Sequence, residues 1–92
     1  MKLLAKHVIS ARGLLGMSQA DLAEAAGVSA DTVNRFEREK TPPLKEDSLW
    51  RIQTALEQCG IEFMNSGRPG VRYHPDRDRR RLASTATKSL EA

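Results

Sequence analysis

The sequence predicts an all-α domain of four to five short helices, followed by a C-terminal β-hairpin and a disordered basic tail. Three observations lead there. From Leu3 to Cys59 apolar residues recur at helical spacing, in stretches punctuated by Gly16, Gly27 and Gly60 and reopened by small polar residues such as Ser18 and Ser29. From Ile61 the apolar period changes to two, on either side of a loop containing Gly67, Pro69 and Gly70. Beyond His74 charged and small polar residues dominate, a composition that favours disorder over a packed core.

Leu4, Val8, Ala11 and Leu15 form one stripe from Leu3 to Leu15, which predicts a first helix ended by Gly16. Arg12 falls on or beside that stripe, where an unpaired charge is costly. His7 reads as a surface or edge residue, since no second His or Cys stands at metal-ligand spacing. Met17 precedes Ser18 as a hydrophobic staple to a capped second helix with the acidic Asp21 in its first turn. Leu22, Ala23 and Ala26 give that helix its apolar side, and small Ala23 permits a close helix crossing. Gly27 stops it, Ser29 caps a third helix, and Val33 and Phe36 turn inward.

Pro42 and Pro43 exclude helix from the connector Glu39–Leu44. A fourth helix opens around Lys45-Glu46-Asp47-Ser48, with Leu49, Ile52, Leu56 and Cys59 inward and Gly60 as its cap. Trp50 lies off the stripe, either covering the core edge or anchoring a partner. Ile61–Asn65 and Val71–His74 then read as the two strands of the hairpin. A hairpin alone is barely stable in water, so it must pack on the helices or join its twin in a second subunit. The twin arrangement is the expectation here, a four-stranded sheet across a two-fold axis. The arginine run in residues 76–81 is open to two readings: a solvated mobile tail, or an arm reaching DNA phosphates. The expected division is therefore a helical domain over residues 1–60, a dimerising hairpin over 61–74 and a flexible basic tail over 75–92.

Bulk properties narrow the function. Ninety-two residues form one domain with a small core, and with aromatics at only 4% that core is aliphatic. The apolar letters of Met1–Lys6 are broken by charge too soon for a signal peptide, and no run can span a bilayer. Cys59 is the single cysteine, so no internal disulfide forms; a reducing, cytoplasmic setting is expected. Cys59 reads as a core residue, not a nucleophile. No paired-carboxylate, Ser-His-Asp, phosphate-loop or zinc constellation is visible, so neither enzyme nor cofactor or metal chemistry is expected. Net charge is +3, distributed as −1 over residues 1–67 and +4 over residues 68–92.

The central stretch carries a more specific signal. Ser18-Gln19-x-x-Leu22-Ala23-x-x-x-Gly27-Val28-Ser29-x-x-x-Val33-x-x-Phe36-Glu37 resembles, position by position, the helix-turn-helix of the lambda-repressor-like, Cro-type (XRE) family of DNA-binding regulators. The resemblance implies a lambda-repressor-like fold that binds double-stranded DNA with the helix around residues 29–38 in the major groove, and a symmetric dimer of it would take a near-palindromic operator. Carried over by position, it makes Ser29, Ala30, Asp31, Asn34 and Arg35 candidates for base contacts. Gln19 corresponds to the family's phosphate-positioning glutamine. Arg12 and Glu37 correspond to an internal ion pair that locks the first helix to the third.

Thr32 at the flank of the third helix, with Arg38 and Lys40 just beyond it, completes the expected backbone contacts. One module makes few base contacts, so a symmetric homodimer through residues 61–74 is expected. The leading reading is a sequence-specific regulator, most simply a repressor. The alternative is an antitoxin-type interaction module that holds a toxin or similar protein partner, with autoregulatory DNA binding.

Overall fold

The computed structural model describes residues 2–64 and 67–81. In chain order these form α1 (Ala5–Leu15), α2 (Gln19–Ala26), α3 (Ala30–Glu37), α4 (Glu46–Gln58), β1 (Cys59–Met64) and β2 (Gly70–Asp78). A fifth helical segment opens at residues 79–81. The chain is thus mainly helical with one antiparallel hairpin.

Local chemistry sets the helix ends. The Ser18 hydroxyl accepts the Asp21 amide at 3.0 Å while the Asp21 carboxylate accepts the Ser18 amide at 3.0 Å, a closed capping box. Ser29 caps α3 by accepting the Thr32 amide at 3.1 Å. Gly16 and Gly27 take left-handed conformations at φ 66° and 72°. In each case the two amides that follow the helix fold back onto its last-turn carbonyls, so α1 and α2 terminate sharply and the next cap falls within two residues.

Val8, Ala11, Leu22, Val33, Ile52 and Leu56 are fully shielded and form the centre of one aliphatic core shared by α1 to α4. Half-buried Phe36, Leu44 and Phe63 close its margins. The helical pattern located this core correctly but misplaced its edges. Helix α1 begins at Ala5, not Leu3, and Leu3 is itself buried while Leu4 and Leu15 are only half-covered.

His7, expected at the surface or an edge, is 1% exposed. Its Nδ1 accepts the Leu4 amide at 3.0 Å, reaching back from the first turn to the N-cap residue, which has no side-chain acceptor of its own. Its ring meets Phe63 edge-on with centroids 5.6 Å apart. Trp50, by contrast, is 65% exposed on α4. Cys59 is a free, buried thiol whose pKa burial pushes up, so it is a core residue that resists ionising.

The hairpin does not stand alone: β2 packs on α1, and β1 runs directly out of α4 and packs against it. Ile61 pairs with Tyr73, Glu62 with Arg72, Phe63 with Val71 and Met64 with Gly70. The second strand also runs further than its composition implies. The chain from 75 onward, expected as flexible tail, continues as strand to Asp78 and turns helical at 79–81. Residues 82–92 lie outside the described residues.

Asp78, 1% exposed, explains the extension. Its carboxylate accepts the Tyr73 hydroxyl at 2.7 Å, the Arg80 amide at 3.0 Å and the Arg80 guanidinium at 3.0 and 3.2 Å. Burial alone would raise the Asp78 pKa, but the hydrogen bonds from Arg80 and Tyr73 outweigh it and hold the carboxyl below its ordinary range.

Between the Ile61–Tyr73 and Cys59–Asp78 pairs, the single residue Gly60 faces a bulge of four residues, 74–77. Gly60 sits at φ 90°, and a Cβ there would collide with the His74 carbonyl oxygen. Gly60 therefore enters the strand instead of capping α4; the C-cap is Cys59. Gly60→Ala must strain the backbone and open the bulge together. The expected loss is about 2 kcal/mol or more of unfolding free energy in urea titration. A loss below about 0.5 kcal/mol would mean that the bulge yields without resistance.

Candidate nucleic-acid interface

Helix α3 has the strongest division of character in the chain. Val33 is fully buried and Phe36 half-buried against the core, while Ser29, Ala30, Asp31, Arg35 and Arg38 lie exposed on the outward side. Thr32 and Asn34 stand between the two, half-buried. The 8-residue helix is too short to hold its axis by itself, so its orientation depends on what fixes its two ends.

At the C-terminal end Glu37 reaches back to α1. The Arg12 Nε donates to Glu37 Oε2 at 2.6 Å and Nη2 to Oε1 at 2.7 Å, a two-pronged ion pair. The remaining Arg12 Nη1 donates to the Met17 carbonyl at 3.0 Å, tying in the α1–α2 turn. The Glu37 side chain is 5% exposed and that of Arg12 19%. Burial pushes the Glu37 pKa up, but the hydrogen bonds from Arg12 and Gln19 prevail and leave it lowered. The pair raises Arg12 in turn.

The network extends to the helix starts. Gln19, the first residue of α2, donates from Nε2 to Glu37 Oε1 at 3.0 Å and accepts from Asn34 Nδ2 at 3.2 Å. One chain of hydrogen bonds thus links Arg12, Glu37, Gln19 and Asn34 across three helices. Gln19 and Asn34 are held in place, yet each keeps one amide hydrogen outside these bonds, and the Asn34 carbonyl oxygen takes no part in them.

The other candidates are distributed unevenly. Ser29 and Thr32 are engaged with one another, their hydroxyls 2.7 Å apart in addition to the cap bond. Arg35 Nη2 donates to the Thr41 carbonyl at 3.2 Å, so its guanidinium leans on the connector. Arg38 and Lys40 are exposed around Glu39, which takes φ 54° as the chain leaves α3. Sequence reasoning missed the Gln19–Asn34 and Arg35–Thr41 links. The Ser29-x-x-Thr32 spacing could have revealed the hydroxyl pair, whereas nothing in the spacing marks the other two.

Glu37→Gln leaves the Arg12 guanidinium half-enclosed without a counter-charge, and a loss of about 3 kcal/mol in stability is expected. Because the folded-state pKa of Glu37 lies below its unfolded value, the pair contributes fully above pH ~4.5 and its contribution is lost as pH falls through the lowered folded-state pKa. Denaturant titration across that range should show a shallower acid-side decline in the variant than in the parent. The variant Arg12→Met with Glu37→Leu should recover much of the loss at neutral pH. Equal losses in single and double variants would argue against an internal lock.

Comparisons with known proteins agree with this geometry. A family model described as helix-turn-helix matches residues 8–61, from within α1 to the first strand of the hairpin. No curated protein matched the chain. Among the described residues no helix is long and apolar enough to cross a membrane, and no cluster of three His, Cys, Asp or Glu could hold a metal. The match spans well over half of the sequence. With two capped helices around a left-handed glycine, α3 outward and α2 across it, the chain belongs to the XRE-type, lambda-repressor- and Cro-like helix-turn-helix family of DNA-binding transcription regulators.

Proposed function

We propose that this regulator reads sequence by laying α3 in the major groove as half of a symmetric dimer, and that it acts as a repressor by occupying its operator. The supporting observation is the outward side of α3, which carries exposed Ala30, Asp31 and Arg35 on a helix whose inward side is fixed by Val33 and the Arg12–Glu37 pair. Arg35 has donors in excess of the one given to Thr41 and can grip guanine with two hydrogen bonds. Asn34, steadied by Gln19, can pair its open carbonyl oxygen and second amide hydrogen with adenine. Asp31 accepts only, so cytosine's amino group is its fitting base target. Ala30 can touch a thymine methyl. Ser29 and Thr32, with hydroxyls turned to each other, serve the cap and a flanking phosphate. Gln19, Arg38 and Lys40 position the backbone, helped by the free amides at the start of α2.

Selection of bound duplex from a random pool tests this assignment. With Arg35→Ala, preference is expected to relax at one position per half-site, by ~1–3 kcal/mol. A uniform loss over all sequences would assign Arg35 to the phosphates instead.

The dimer is proposed through the hairpin, residues 61–74, whose strands pair only with each other among the described residues. Two copies would set their α3 helices ~34 Å apart, one turn of duplex. Sedimentation at micromolar concentration should give a dimer, at least with operator present. Monomer alone in both conditions would remove this part of the reading.

A further inference from the structure

We propose that Arg79 and Arg81 form a second DNA-backbone clamp, held in place by the buried carboxylate of Asp78, beside the first turn of α2. The inference rests on the DNA-binding reading above and concerns a segment outside the residues that match the family.

Charge supplies the first argument. Residues 1–67, which include the entire helix-turn-helix, carry a net −1, while residues 68–81 carry six arginines against two aspartates, a net +4. Affinity for duplex DNA comes largely from cations that replace condensed counterions. The helical body has no surplus of them.

Position supplies the second. Asp78 is 1% exposed and takes the Tyr73 hydroxyl, the Arg80 amide and the Arg80 guanidinium, so it caps the helical turn that begins after it and fixes where that turn points. Arg80 lines one surface depression with Met17, Asp21, Glu24 and Ala25 of the α1–α2 turn and α2. Asp21 is the capping-box partner of Ser18, so the depression runs along the exposed side of α2 from its first turn. Asp21 and Glu24 would repel a phosphate by themselves. Arg80 is itself paired with Asp78, so it falls to Arg79 and Arg81, exposed on either side of it and without an ion pair among the described residues, to balance Asp21 and Glu24 and to meet a phosphate.

The test uses the full chain carrying Arg79→Gln with Arg81→Gln, leaving Arg80 to its anchor. Binding is followed by fluorescence anisotropy on a pool-selected duplex and on a random-sequence duplex, in salt from about 50 to 200 mM. Loss of two phosphate contacts should make the slope of log affinity against log salt shallower by about 1.8 on both duplexes, with base preference unchanged. Arg79→Lys with Arg81→Lys should restore the slope, which separates lost charge from lost folding. An unchanged slope in the glutamine variant, or a change in preference at one base position, overturns the proposal. If Arg35→Ala relaxes base preference while the glutamine variant binds as the parent does, the clamp fails and the groove reading stands. If the parent prefers no duplex, the groove reading fails first.

Discussion

A carboxylate shut away from water at the end of α3 organises this molecule. Glu37, with its side chain 5% exposed, would carry a large desolvation penalty unless both oxygens were satisfied. Arg12 satisfies them from α1 and uses its third nitrogen on the turn into α2, while Gln19 adds a bond from the start of α2. A hydrophobic core of aliphatic side chains tolerates small slides between helices. A two-pronged ion pair does not, because its bonds weaken steeply with angle. The aliphatic core therefore supplies most of the cohesion, and the pair determines which side of α3 faces outward. That division matters for a reader of DNA, since a helix rotated by a fraction of a turn presents different donors to the groove.

The hairpin shows the same logic at the other end of the chain. Asp78 is also a shielded carboxylate, also bonded to an arginine, and also held below its ordinary pKa by those bonds despite burial. It sits where β2 would otherwise fray, and it converts a run of charges into strand and helical turn. Both anchors depend on ionised carboxylates with lowered pKa values, so the two weaken together in acid. Each anchor is lost as pH falls through the lowered pKa of its own carboxylate.

Much of this was legible in the sequence because the relevant physics is local. Ser18 with Asp21, Ser29 as a cap, and Gly16 and Gly27 in left-handed geometry all depend on residues within a few positions of one another. The aliphatic stripes are local in the same sense. What escaped depends on distance along the chain. His7 looked peripheral because nothing near it in sequence predicts Phe63 as its neighbour; its bond to the Leu4 amide, three residues away, is local and lay within reach of the sequence. The hairpin boundary was set too early because Asp76–Arg81 has the composition of a tail, and only the fold brings Tyr73 and the bulge opposite Gly60 into position to bury Asp78. The candidate DNA side chains were recognisable as types, but their ties to one another, Gln19 to Asn34 and Arg35 to Thr41, were not.

Those ties bear on how recognition would proceed. A side chain that is free in solution loses rotamer entropy on binding, typically ~0.5–1.5 kcal/mol for a long polar one. Asn34 is already steadied through Gln19, so little of that loss would remain on making the base contact proposed for it. Arg35 is tied less firmly: its guanidinium leans on the Thr41 carbonyl through one bond at 3.2 Å and keeps further donors for the proposed contacts in the groove. On the proposed contacts the connector carbonyl would offset part of what Arg35 gains at guanine if that bond is given up, while Asn34, already steadied, would make its bonds to adenine at a smaller entropic cost.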